Sequence, residues 1–263
     1  MVDPRREIVT PPELVDRLLA AAGDQPVLVG GQALSFWIHH YAVERREDMP
    51  AVTLDTDFFT PSAVDKALVR RLGAAIRGTV SFPRPEARTS IVGQVRLDVS
   101  DDEYINVDVI FKVFGLSAQA ILRRVVTVTI GEAGRLRVMH PFHVLTSRLA
   151  NLCRLTEKQT DKGAEQLRLG IDVARAYLRE EAARHDPEAT RLGRSPVQSL
   201  VSEIEKLAID DAGRKVAARW GVHVADAVDP MLIPAGPFWE RKWPTLRELM
   251  SPEYAAAVKP PRV

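Results

Sequence analysis

Asp55 and Asp57 stand two apart in Thr53-Leu-Asp55-Thr-Asp57-Phe-Phe, and Asp108 sits inside the apolar run Ile105-Asn-Val-Asp108-Val-Ile-Phe. Gly30 and Gly31 directly follow the apolar Val27-Leu28-Val29. On a strand, residues two apart share a face, so Asp55 and Asp57 present their carboxylates side by side. Two ionised carboxylates that close repel unless a cation lies between them. Asp108 has Val107, Val109 and Ile110 as neighbours, where an unpartnered carboxylate is expensive. If its strand lies beside that of the acid pair, three hard oxygen ligands converge, a set that suits Mg²⁺ better than zinc. Glycines at a strand-to-helix turn let the backbone approach a ligand, and the N–H groups that open the helix attract anions. A divalent metal beside a phosphate seat is the equipment of nucleotidyl transfer. Each element has an ordinary reading: Asp-x-Asp also serves solvated turns, and many strand-to-helix turns use Gly-Gly. Their order and context make them informative together.

Other residues compete less well. Asp98, in Val95-Arg-Leu-Asp98-Val, is an alternative third carboxylate, but the run around Asp108 is more apolar. His39 and His40 are adjacent, so they diverge on a helix, and no third ligand accompanies them. Cys153, the single cysteine, cannot form an intramolecular disulfide and is expected as a small buried hydrophobe. Trp239 and Trp243, four apart, are expected as packing anchors.

These residues need elements to place them. With 263 residues, the chain suffices for one large domain or two modest ones. Its 27% charged and 46% hydrophobic residues are those of an ordinary globular protein, and the net charge of +1 does not announce a nucleic-acid binder. No apolar run approaches the roughly 18 residues of a membrane span. With no apolar leader in Met1-Val-Asp-Pro-Arg-Arg-Glu7, the expectation is a cytoplasmic protein without membrane partners.

Pro11-Pro12-Glu13 opens a helix with Leu14, Val15, Leu18 and Leu19 as its stripe, ended by Gly23-Asp24. Val27–Val29 reads as a short buried strand, and Gln32–Tyr41 as a helix with Ala33, Leu34, Trp37 and Ile38 on one side. Residues 52–59 return to strand, and 63–76 form a helix. Strand-type runs follow at 79–82, 89–99 and 104–111, then a short helix at 116–123. Residues 125–130 and 136–139 pair as a hairpin across Gly131-Glu-Ala-Gly134. From His140 to about Ala183 the pattern is helical, with Val144, Leu145, Leu149, Leu152 and Leu155 as its first apolar positions and a second helix at roughly 164–177; at least one more helix lies within 195–220. From Val228 the chain is rich in proline and tryptophan. The expected class is α+β: a small mixed β-sheet flanked by helices over residues 1–139, a helical domain over 140–227, and a tail over 228–263 that packs on the rest.

The ordered set Gly30-Gly31, Asp55-Thr-Asp57 and Asp108 resembles the DNA-polymerase-β-like nucleotidyltransferase superfamily. That hallmark is Gly-Gly or Gly-Ser at a helix start, Asp-x-Asp on the next strand and a third Asp on a later one. The Gly-Gly-x-Ala-Leu helix and the acidic strand ending in Phe are similar to AbiEii-type toxin nucleotidyltransferases. The motifs span residues 25–112. The resemblance implies the nucleotidyltransferase fold and an enzyme moving an NMP from an NTP to a hydroxyl. It implies two Mg²⁺ ions (or Mn²⁺) on Asp55, Asp57 and Asp108, with Gly30 and Gly31 seating the phosphates. Relatives carry a lysine and an Arg-Asp-x-x-Asp-like segment early in the second domain. This chain instead has Arg148, then Lys158 and Lys162, with Asp161 and Asp172. Arg148 and Lys158 are candidates for the triphosphate, with a solvated helix face as the alternative for each. The acceptor stays open: tRNA or other RNA, or a protein, as in a toxin paired with an antitoxin, or a small molecule such as an aminoglycoside. A non-catalytic nucleotide-binding module is the remaining alternative.

Overall fold

The computed structural model describes residues 5–45, 53–130 and 134–261. The chain divides into two units, residues 1–37 with 45–144 and residues 38–44 with 145–263.

In the first unit, the elements in chain order are β1 (Arg6–Glu7), α1 (Pro12–Ala22), β2 (Val27–Leu28), α2 (Gly30–His40, whose last turn belongs to the other unit), β3 (Thr56–Phe59), α3 (Lys66–Ile76), β4 (Thr79–Ser81), β5 (Ile91–Asp98), β6 (Glu103–Ile110), α4 (Ala118–Arg123), β7 (Val126–Ile130) and β8 (Gly134–Val138). The strands form one mixed sheet in the order β4-β5-β6-β3-β2-β8-β7, and β1 runs parallel to the start of β6. β3 is parallel to β6, while β5 is antiparallel to it, so β6 is central. This architecture is the mixed sheet flanked by helices that the alternating patterns imply.

Strand alternation sorts β6 into two faces. Ile105, Val107 and Val109 are buried at 1% exposure or less, whereas Asn106, Asp108 and Ile110 are only half-buried. On the apolar face α3 packs closely, because a Cβ on its Gly73 would meet Val80 at 2.4 Å. The side chain of Asp65 accepts from the Leu68 N–H and so sets where α3 begins, later than the proline-led start at 63. α2 buries the expected stripe of Ala33, Leu34, Trp37 and Ile38, and the Trp37 indole donates to the Met139 carbonyl at 2.8 Å.

Two differences bear on the site. The strand expected over 52–59 begins only at Thr56, with Val52 outside the described residues. Residues 54–55 bend instead of continuing the ladder, and the Leu54 carbonyl accepts from the Thr10 N–H at 3.2 Å. Two-residue β1 has no periodicity to read. The loop 131–133 of the β7–β8 hairpin is outside the described residues, while the antiparallel pairing of those strands holds.

The second unit is helical: α5 (Pro141–Arg154, beginning in the first unit), α6 (Asp161–Ala183), α7 (Pro187–Arg191), α8 (Pro196–Ile209), α9 (Asp211–Trp220), α10 (Pro237–Arg241), α11 (Trp243–Glu248) and α12 (Pro252–Ala257). Thr160 caps α6 by accepting from the Gly163 N–H, so this helix starts earlier and ends later than 164–177. Residues 228–263 belong to this unit. Trp239 and Trp243 are buried with ring centroids 5.4 Å apart, as packing anchors should be. Cys153 is half-buried, less enclosed than expected. No helix among the described residues is long and apolar enough to cross a membrane.

Candidate functional site

Asp57 on β3 lies in register with Asp108 on β6, and Asp108 with Gln94 on β5. Paired residues point to one face, so the sheet lays a polar row across three strands. Asp55 reaches the same place from the bend just before β3. One carboxylate oxygen from each of Asp55, Asp57 and Asp108 lies within 4.8 Å of the other two, and all three residues are half-buried. Asp98 stays apart at the end of β5, paired with Arg5 at 3.1 Å and Arg96 at 2.9 Å.

Neutral donors hold two of the acids. Gln94 Nε2 and Asn106 Nδ2 both donate to Asp108 Oδ1, each at 2.9 Å. The Thr53 hydroxyl donates to Asp55 Oδ1. Burial pushes the Asp108 carboxyl up from its ordinary range; the two amides pull it down, and the charge of Asp55 adds to the rise. A cation bound among the three acids would relieve that repulsion and desolvation. The donor set is all oxygen, which fits a hard divalent cation.

The double glycine has a local reason. Gly30 has φ 65°, and a Cβ there would fall 1.8 Å from Asp57 Oδ2. A Cβ on Gly31 would meet Thr53 Cβ at 2.3 Å. The chain's own Asp57 and Thr53 therefore fill the side that the glycines leave open. This refines the reading of Gly30 and Gly31 as a phosphate seat: an anion has the N–H groups of the first turn of α2, which lack intrahelical acceptors, and not the space beside the α-carbons. A cavity of about 540 Å³ adjoins through Thr53, with Thr10, Asp16, Gln32, Ser35 and Arg45 among its polar lining.

Asp55, Asp57, Asp108, Gly30 and Gly31 thus come together in the first unit. Arg148 and Lys158 belong to the second. Arg148, on α5, is 8% exposed and donates from Nη1 to Gln166 Oε1 at 3.3 Å, so it is not on a solvated face. Lys158 is exposed in the short turn after α5. His39 and His40 are exposed on α2. Thr53, Gln94 and Asn106 escaped the sequence reading, although Asn106 stands two before Asp108 and so had to share its face.

No protein-family model matches the chain, and no curated protein does. Among solved structures, the chain is similar to JHP933 from Helicobacter pylori, with 14% identity over 80% of this chain and 77% of that one. The TM-score of 0.39 gives that likeness no weight for fold or activity.

Proposed function

We propose that the protein is a Mg²⁺-dependent nucleotidyltransferase that moves an NMP from an NTP to a hydroxyl acceptor. The observation that carries this reading is the convergence of Asp55, Asp57 and Asp108 at the opening of α2, beside Gly30 and Gly31. Asp55 and Asp57 would hold two divalent ions, and Asp108 would share the one on the acceptor side. Bound there, the metal supplies charge neutralisation for the attacking and leaving oxygens of an in-line displacement at the α-phosphorus.

The chain's own groups have separate tasks. Thr53, Gln94 and Asn106 each engage the Oδ1 of an acid and leave Oδ2 of Asp55 and of Asp108 for the cation. Asp108, held by the Gln94 and Asn106 amides, would be the group placed to take the proton of the acceptor hydroxyl. First-turn N–H groups of α2 face the phosphates, and the adjoining cavity has the volume for a small-molecule group such as a nucleoside.

The test is incubation with each α-labelled NTP and Mg²⁺ against total tRNA, protein and aminoglycosides in parallel. Label should move to one acceptor class in a Mg²⁺-dependent way. No label on any acceptor, with the NTP intact, would overturn the reading.

A further inference from the structure

The overall charge of +1 conceals one segment. Residues 66–88 carry Lys66, Arg70, Arg71, Arg77, Arg84 and Arg88 against the single acid Glu86. Arg71 is engaged with the carbonyls that end α1. The other five are exposed, and among the described residues none pairs with a carboxylate. Two of them flank an aromatic ring: Lys66 Nζ lies 5.2 Å and the Arg70 guanidinium 5.5 Å from the centroid of half-buried Phe82. Arg84 and Arg88 occupy the exposed loop that follows Phe82.

Lys66 and Arg70 stand one turn apart on α3, where like charges disfavour each other slightly. We infer that the α3–β4 edge, formed by Lys66, Arg70, Phe82, Arg84 and Arg88, is a binding surface for single-stranded nucleic acid. Exposed cations track a phosphate backbone, and a ring flanked by cations is a platform on which an unpaired base stacks. An acidic protein would meet the charge but would leave the ring unused. Ser81 is in register with Gln94 and Gln94 with Asp108, so the acids belong to the polar face of the sheet, whereas Phe82 lies with Lys66 and Arg70 on the α3 face. The surface is therefore separate from the acids, and its binding of a strand does not rest on the nucleotidyl-transfer reading.

The experiment uses the full chain and a fluorescent 12-nucleotide RNA without secondary structure, titrated across a salt series by anisotropy. Binding should weaken with salt, with a slope near −0.7 per phosphate contacted. The exposed double reversal R84E/R88E should lose at least about tenfold in affinity and make the slope shallower by about 1.4, with an unchanged Tm. F82L should bind more weakly at an unchanged slope, since stacking carries no counterion release. No binding at low salt, an unaffected R84E/R88E protein, or equal affinity for polyglutamate would each overturn the surface. The wild type separates the two readings: salt-dependent RNA binding by wild-type protein that moves no label from any NTP would refute transfer and leave the surface standing.

Discussion

Arginine is plentiful in both units, but it is used in two ways. Along α6, at its C-terminal cap and on α7, four arginines sit three or four residues from an acid and pair with it: Arg168 with Glu165, Arg175 with Asp172, Arg184 with Glu180 and Glu181, and Arg191 with Glu188. These helices satisfy their own charge. In the sheet unit, Lys66, Arg70, Arg84 and Arg88 have no carboxylate among the described residues, while Asp55, Asp57 and Asp108 crowd together on the opposite face. Beside the pairs of Arg5 and Arg96 with Asp98 and of Arg6 with Glu103, the sheet unit thus keeps these four cations and these three acids apart from their opposites. Charge balanced within a helix serves solvation and a little stability; charge segregated by sign is available to ligands.

Glycines draw the same contrast and give the largest expected effect. Gly30→Ala forces a Cβ onto Asp57 at a positive φ and should cost about 2 kcal/mol or more, with loss of Mn²⁺ binding measured by electron paramagnetic resonance. Gly170→Ala on α6 has neighbours no nearer than 3.8 Å and should stabilise the second unit by about 0.5–1 kcal/mol in thermal unfolding. Destabilisation by both, or by neither, would erase the distinction.

The crowded acids should have a stability signature. Burial raises the carboxyl of Asp108, so its contribution favours the folded state at low pH and is lost as pH rises through the folded-state value. Asp108→Asn should therefore raise the Tm of metal-free protein at neutral pH by a few degrees, an advantage that disappears on acidification below the ordinary carboxylate range. An Asp108→Asn protein less stable than the wild type at pH 7 would show that the site is not strained.

His140 and His143, near the start of α5, respond in the other direction. Burial and the nearby Arg124 lower His143 to about 4; burial, Arg124 and His143 lower His140 to about 2. The unfolded chain binds these protons near pH 6.5, so stability is complete above that value and should fall steadily as pH drops towards 4. His143→Leu should flatten that limb in Tm measured against pH. The smallest effect belongs to the self-paired helices, where Arg184→Ala should leave Tm and RNA affinity unchanged within error.

The site was legible where chemistry and periodicity coincided. Asp108 stood out because an acid among Val107, Val109 and Ile110 needs a partner, and the sheet put it in register with Asp57. Asp55 was harder to place, because the break from bend to strand at Thr56 depends on the distant Thr10 and leaves no local signal. Gly30 and Gly31 were found for one reason and hold their places for another: only tertiary structure shows that Asp57 and Thr53 occupy the space beside them. Gln94 became meaningful once the β5–β6 register was known, since it lies 14 residues from the carboxylate it holds. The basic segment was hidden by averaging, because a net charge of +1 sums paired and unpaired cations alike.

The central claim is metal-dependent transfer by the three acids. The most direct measurement follows α-phosphate label from NTP to acceptor by wild type and by Asp57→Asn, with Mg²⁺ and with EDTA. Transfer by the wild type in Mg²⁺, its abolition by EDTA, and a loss of about 10³-fold or more in a folded Asp57→Asn protein are the predicted results. Transfer at near-wild-type rate by Asp57→Asn, or by the wild type in EDTA, would contradict the account.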